Sequence, residues 1–301
     1  MLNGKVAIVT GGGQGLGREE ALALGLAGAH VIVNDISPAL ESTGERPADT
    51  VVADIEAAGG SATANFDDIG TWDGAAALVK SAFAVTGSLD VLVCNAGIVR
   101  DRMLHKMSEA EWDAVLRVNL SGHFFPLRHA AEQWRAQAKE KGAPLDVSVV
   151  FTTSEAAMYG HLGQANYTAA KGGVIGLAFT AATELQSVGV RVNVIGPRGR
   201  TPMTTNTFGE IPGDDSGFDA WDPANVAPFV LLLARPESAG ISGQVFAVHG
   251  DTVTRFAGWT EAATIKAGDK KWSDGDLLAA TGSTLVPGLQ IDPPVFPITV
   301  G

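Results

Sequence analysis

The chain has 301 residues, 46% hydrophobic and 18% charged, which is enough apolar material for a large buried core and argues against global disorder. A formal charge of -12 argues against a nucleic-acid backbone or an anionic membrane surface as the main partner. The single cysteine, Cys94, allows no intrachain disulfide and points to a reducing, cytoplasmic setting.

The opening MLNGKVAIVTGGG has no basic stretch followed by an apolar leader, so no secretory signal is expected. Apolar runs such as FVLLLA (229–234) are far shorter than the ~20 residues that span a bilayer. Strand patterns fall at 5–10, 30–35, 61–66, 91–96, 147–154, 191–197 and 244–250. Helical patterns lie between them at about 16–28, 48–58, 72–86, 108–141, 163–186 and 223–235. Several strands are apolar without alternation, as when helices cover both faces of a sheet. The alternation predicts an α/β fold, a doubly wound parallel sheet of seven strands over residues 1–250. Residues 251–301 read as a C-terminal extension whose end, LVPGLQIDPPVFPITVG, is too proline-rich for a helix. Two further stretches sit outside the rhythm: a long connection at 36–48, and a polar, glycine-bearing one at 204–221, after a strand end, where such folds bind ligands.

In IVTGGGQGLGREEAL, Gly11, Gly15 and Gly17 stand between the first strand and the first helix. Glycines let the backbone turn tightly and approach a pyrophosphate, and the helix N-terminus offers free N–H groups. The strict G-x-G-x-x-G spacing is absent, and G-x-x-x-G-x-G is a longer turn. Asp35 closes the second strand, where a carboxylate can accept both ribose hydroxyls and would repel a 2′-phosphate. With Gln14 in the loop and no basic residue in NDISPAL, that favours NAD over NADP. Asp35 reads alternatively as a turn-former ahead of Ser37-Pro38. Asp67 and Asp68 close the third strand and CNAG (94–97) the fourth, on the rim where an adenosine would lie. Asn95 reads as a backbone organiser of that rim and Cys94 as a small buried apolar side chain.

Tyr167 and Lys171 are four apart on a helical pattern and so share one side of it. A phenol with pKa near about 10 is a poor acid–base group at neutral pH, and an adjacent ammonium is expected to lower it. Alone the Y-x-x-x-K pair means little. Ser154, at the end of the fifth strand, adds a hydroxyl able to hold a substrate carbonyl beside the phenol. Asn119 interrupts an apolar helical stretch, where a kink could hold a water between Lys171 and solvent.

Together, T-G-x-x-x-G-x-G at 10–17, N-A-G at 95–97, Asn119, Ser154, Tyr167 and Lys171 resemble the signature of the short-chain dehydrogenase/reductases from residue 5 to about 250. That resemblance implies a Rossmann fold, with Tyr167 as general acid/base, Ser154 orienting substrate, Lys171 binding the nicotinamide ribose and Asn119 completing a proton relay. The stretches VNDISPALESTGERPADTVVADIEAAGGSATANFDD, NAGIVRDRMLHKMSEAEWD and MYGHLGQANYTAAK are similar to the (3R)-hydroxyacyl-CoA dehydrogenase domain of the peroxisomal multifunctional enzymes, a branch grouped with hydroxysteroid dehydrogenases. By that likeness Leu16, Asp35, Asp67, Asp68, Asn95 and Gly97 line an NAD site, and Pro197 and Thr201 meet the nicotinamide end. The chain departs from the family pattern at Cys94, at Pro197-Arg198 in place of Pro-Gly, and at Glu155, which could change substrate polarity.

The expected activity is NAD(H)-dependent interconversion of a secondary alcohol and a ketone, with a 3-hydroxyacyl-CoA the first substrate and a hydroxysteroid the second. A non-catalytic NAD-binding regulatory subunit is the reading from another class, disfavoured because all four catalytic positions are filled. Six scattered histidines with no H-x-x-x-H pair imply no metal site. The resemblance further implies a homo-dimer or homo-tetramer.

Overall fold

A computed structural model describes residues 1–41, 44–210, 213 and 217–285. Among the described residues there are eight strands: β1 Val6–Thr10, β2 His30–Asn34, β3 Ser61–Asn65, β4 Val91–Cys94, β5 Val147–Thr152, β6 Val190–Pro197, β7 Val245–His249 and β8 Thr252–Phe256. They form one sheet in the order β3-β2-β1-β4-β5-β6-β7-β8. All neighbours are parallel except the last pair. The order reverses between β1 and β4, so a crevice opens beyond their C-terminal ends.

The helices are α1 Gly15–Leu26, α2 Pro47–Ala57, α3 Trp72–Thr86, α4 Glu109–Leu116, α5 Gly122–Lys141, α6 Ala156–Tyr159, α7 Ala165–Glu184, α8 Pro202–Phe208, α9 Ala227–Ala234 and α10 Asp274–Ala280. Alternation along each strand feeds two cores. Val6, Ile8, Val149 and Phe151 pack with side chains of α3, α5 and α7. Ala7, Val9, Val31 and Val33 pack with side chains of α1, α2 and α9 on the other face.

All seven expected strands are present. The eighth lies in the segment read as extension. Gly250 (φ +55°) and Asp251 turn β7 back so that His249 faces Thr252 in an antiparallel hairpin. Its side chains are exposed up to Phe256, so no apolar run marks it. The first compact unit accordingly runs from Met1 to Phe256, and the expected boundary at 250 falls inside the hairpin. The described residues from Ala257 to Leu285 belong to a second unit, which carries α10. The proline-rich end at 286–301 lies outside the described residues.

The helix expected over 108–141 is broken. A capping box between Ser108 and Glu111 starts α4, and a π-turn, Arg117–Ser121, separates it from α5. The stretch after β6 is not all loop, because a Thr201–Thr204 capping box with Pro202 behind it starts α8.

Candidate functional site

The glycine loop closes against the β4 end through backbone approach. Gly11 has φ +63°, and a Cβ there would lie 2.8 Å from Ala96 Cα. A Cβ on Gly17 would lie 2.2 Å from the Gly11 carbonyl oxygen, so any side chain would push the loop off the helix. Asn95 Nδ2 donates to the carbonyl oxygens of Thr10 and Gly11, both at 3.2 Å. Thr10 Oγ1 accepts from Asn95 N at 3.1 Å and Ala96 N at 3.2 Å. α1 begins without a side-chain cap and without an acidic residue in its first turn. Its first amides are therefore available to an anion. This cradle and those uncapped amides fit a dinucleotide pyrophosphate.

Asp35 sits at the β2 end, where its carboxylate accepts from Gly13 N at 3.0 Å and Ser37 N at 2.8 Å. It thus ties the glycine loop to the next turn. Asp67 accepts from Asn65 Nδ2 at 2.8 Å, within a network that includes Asn34. Asp68 is engaged elsewhere: it pairs with Arg117 at 2.8 Å and accepts from Gly70 N. Leu16 packs beside the second core and against Gly199, and Thr201 lies beside Gly15, whose Cβ would come within 2.9 Å of Thr201 Cγ2. Pro197 ends β6 in register with Val248.

Asn119 is fully buried in the π-turn. Its amide exchanges two bonds with Ile98, accepting from the N–H at 2.7 Å and donating to the C=O at 2.8 Å. A Cβ on Gly97 would lie 3.3 Å from Asn119 Oδ1 and 3.6 Å from Lys171 Nζ, so these three residues converge. Lys171 Nζ lies 5.9 Å from the Tyr167 ring centre, and the Ser154 hydroxyl is near enough to the phenol to act on its ionisation. Ser154, Tyr167, Lys171 and Asn119 are therefore brought to one place, beside the cradle.

Burial dominates the electrostatics here. It pushes the Tyr167 phenol up to about 12, with the nearby Ser154 hydroxyl pulling down and Asp101 pushing up. It also drives the Lys171 ammonium down to about 7. Burial is the largest cause for both side chains, and the expected lowering of the phenol by Lys171 is not among the causes of its shift. Cys94 is buried and its thiol is pushed up, so it carries no charge.

One supporting residue, Asn166, lies outside the motifs of the sequence. Asn166 is fully buried, donates to the carbonyls of Arg100 and Glu111 at 3.1 and 3.0 Å, and accepts from Tyr167 N at 2.7 Å. An amide immediately before the tyrosine at a helix start was the available clue. Among the cations near the cleft, Arg102 pairs with Glu111, Arg198 with Glu155 and Arg200 with Asp219. Arg100 and Lys106 have no carboxylate partner among the described residues. Also among the described residues, no group of three or more His, Cys, Asp or Glu could hold a metal ion, and no helix is long and apolar enough to cross a membrane.

Residues 5–211 match the family model described as short chain dehydrogenase. The hydroxyacyl-CoA dehydrogenase ChsB1 of Mycobacterium tuberculosis is 44% identical over 280 residues, covering 92% of this chain and 87% of that protein. The peroxisomal multifunctional enzyme type 2 of Mus musculus is 38% identical over 85% of this chain, which spans 32% of that enzyme. A crystal structure of a short chain dehydrogenase from Mycobacterium avium is 41% identical and superposes with a TM-score of 0.84, covering 94% of this chain and 95% of that one.

Proposed function

The chain belongs to the short-chain dehydrogenase family and interconverts a secondary alcohol and a ketone, and we propose that its cofactor is NAD(H) and its substrate a 3-hydroxyacyl-CoA. The observation that carries the reading is the convergence of Ser154, Tyr167 and buried Lys171, with the Ser154 hydroxyl near enough to the phenol to act on it and Lys171 Nζ 5.9 Å from the same ring.

The residues of the cradle fit the cofactor. Gly11, Gly15, Leu16 and Gly17 would hold the pyrophosphate, and Asp35 the adenosine ribose. Asp67, Asn95 and Gly97 would line the rim, and Pro197 and Thr201 the nicotinamide end. Asp68, committed to Arg117, would act by holding the turn after β3. When bound, the nicotinamide supplies the hydride donor or acceptor and, in its oxidised form, a positive charge.

Tyr167 takes the proton from the substrate hydroxyl in oxidation and returns it in reduction. Ser154 donates to the same substrate oxygen and keeps it beside the phenol. Lys171 presents a cation to the ribose hydroxyls and the phenolate. Its distance from water makes that charge strong when present. Asn119 holds the β4 end through Ile98, and the wide π-turn around it gives a proton route from Lys171 outward.

The acyl-CoA assignment is supported by the similarity to ChsB1 and by Arg100 and Lys106, two cations left to meet phosphates. Met103, Leu104 and Leu162 offer apolar surface beside them; Arg102 N bonds to Gly163 O, so their two loops adjoin. The same surface suits a steroid, which is the second reading. We place the chain in the cytoplasm, on its single buried thiol, and expect a homo-dimer or homo-tetramer.

The test is NADH formation with (3R)- and (3S)-hydroxyacyl-CoAs of several chain lengths, hydroxysteroids, and NADP as a control. Turnover confined to one 3-hydroxyacyl-CoA stereoisomer is expected. Activity on steroids alone would overturn the substrate assignment.

A further inference from the structure

Glu155 and Arg198, two departures from the family pattern, are partners. Glu155 directly follows Ser154, and Arg198 directly follows the last residue of β6. The guanidinium grips the carboxylate with both Nε and Nη2, the latter at 2.8 Å to Oε1. The side chains are 12% and 19% exposed, so the pair is largely withdrawn from water. A planar fork on a carboxylate fixes rotation as well as distance, which a single contact does not.

The two segments already run in contact. Thr153 N donates to Ile195 O at 2.7 Å, and a Cβ on Gly196 would lie 3.6 Å from Ser154 C and 3.7 Å from Glu155 N. On the Arg198 side the backbone is anchored, with Arg198 N donating to Val248 O at 2.9 Å on β7. The Glu155 side is held by side-chain packing, with Ala156 buried and Met158 against the first core. It leads into α6, a helix of four residues that ends at Gly160 in a left-handed φ. One helical turn does not hold itself. Ser154 Oγ is held within this turn by Ala156 N at 3.2 Å, so a rotation of the turn carries the hydroxyl away from Tyr167.

We propose that the Glu155–Arg198 pair is a positioning device that locks the one-turn helix after β5 onto the β6 end and so fixes the Ser154 hydroxyl against Tyr167. It rests on the reading of Ser154 and Tyr167 as the reacting pair. Glu155 and Arg198 act through Ser154 and touch no reacting atom themselves.

The test uses the full chain with tyrosine labelled with carbon-13 at Cζ, a position sensitive to hydrogen bonding at the phenol. There are only two tyrosines, so Tyr159→Phe assigns the Tyr167 resonance. The expected result is that Glu155→Gln moves that resonance in the same direction as Ser154→Ala, and adds nothing when combined with it. In turnover, Glu155→Gln lowers kcat on the order of tenfold, since a small misplacement of a reacting group is costly, and leaves the KM for NAD unchanged. A Tyr167 resonance unmoved by Glu155→Gln, with only the melting temperature reduced, overturns the proposal and makes the pair a structural tie. Should Glu155→Gln not fold, Arg198→Lys keeps the charge, loses the fork and is read by the same resonance. The resonance needs no substrate, so failure of the functional reading shows separately, as absence of turnover in the unaltered chain.

Discussion

Lys171 Nζ donates to the Thr152 carbonyl oxygen at 2.7 Å, so the cation of the site hangs from the end of β5, two residues before Ser154. One hydrogen bond does not replace a hydration shell, and burial lowers the ammonium from its ordinary 10.5 to about 7. Between those values the folded chain binds fewer protons than the unfolded one. Stability from this group therefore rises with pH from about 7 to about 10.5, and its full cost is felt below about 7. Lys171→Met should flatten that slope while lowering kcat roughly 100-fold. Denaturant melts of both proteins at neutral and mildly alkaline pH, with parallel assays, check it; an unchanged slope would count against a buried charge.

Glu20 is the opposite case. It lies fully buried on α1 with neither carboxylate oxygen hydrogen-bonded, and burial pushes it from 4.5 up to about 8. Here the folded chain binds more protons than the unfolded one between those values. Its cost is absent below about pH 4.5 and grows as pH rises toward about 8. The slope is ~1.4 kcal/mol per pH unit within the window. Glu20→Gln should leave stability near pH 5 little changed and raise it by a few kcal/mol (about 2 or more) near pH 8. A variant that loses stability equally at both pH values would show that the carboxyl has a partner.

Asp35 is the residue on which the proposed preference for NAD turns. Its carboxylate organises the loop through Gly13 N, and in the proposed function it receives the adenosine ribose and repels a 2′-phosphate. Asp35→Ser should weaken NADH binding roughly tenfold and narrow the preference over NADPH by about 100-fold, the effect of removing one close like charge. Fluorescence titration with both nucleotides measures it, and equal binding by the unaltered chain would refute the NAD assignment.

The parts of the site legible in the sequence are those set by spacing along regular elements. Tyr167 and Lys171 sit one turn apart on α7, and the three glycines sit between β1 and α1, where a strand-to-helix turn demands them. Pairings across the fold were not legible. Glu155 meets Arg198, and Asp68 meets Arg117, only because the sheet order brings distant segments together. β8 escaped because an exposed edge strand has no buried face to impose an apolar pattern. Glu20 escaped because a carboxylate on an amphipathic helix reads as a solvated face, and burial is a property of the packed molecule.

The most direct measurement is the Tyr167→Phe variant, assayed for turnover and, separately, for NADH binding by fluorescence. Removal of the hydroxyl alone keeps the ring's packing and takes away the group proposed to move the proton. The account predicts NADH binding close to that of the unaltered chain and turnover reduced by ~100-fold or more. Turnover near the original level would contradict it, and would move the acid–base role to another group.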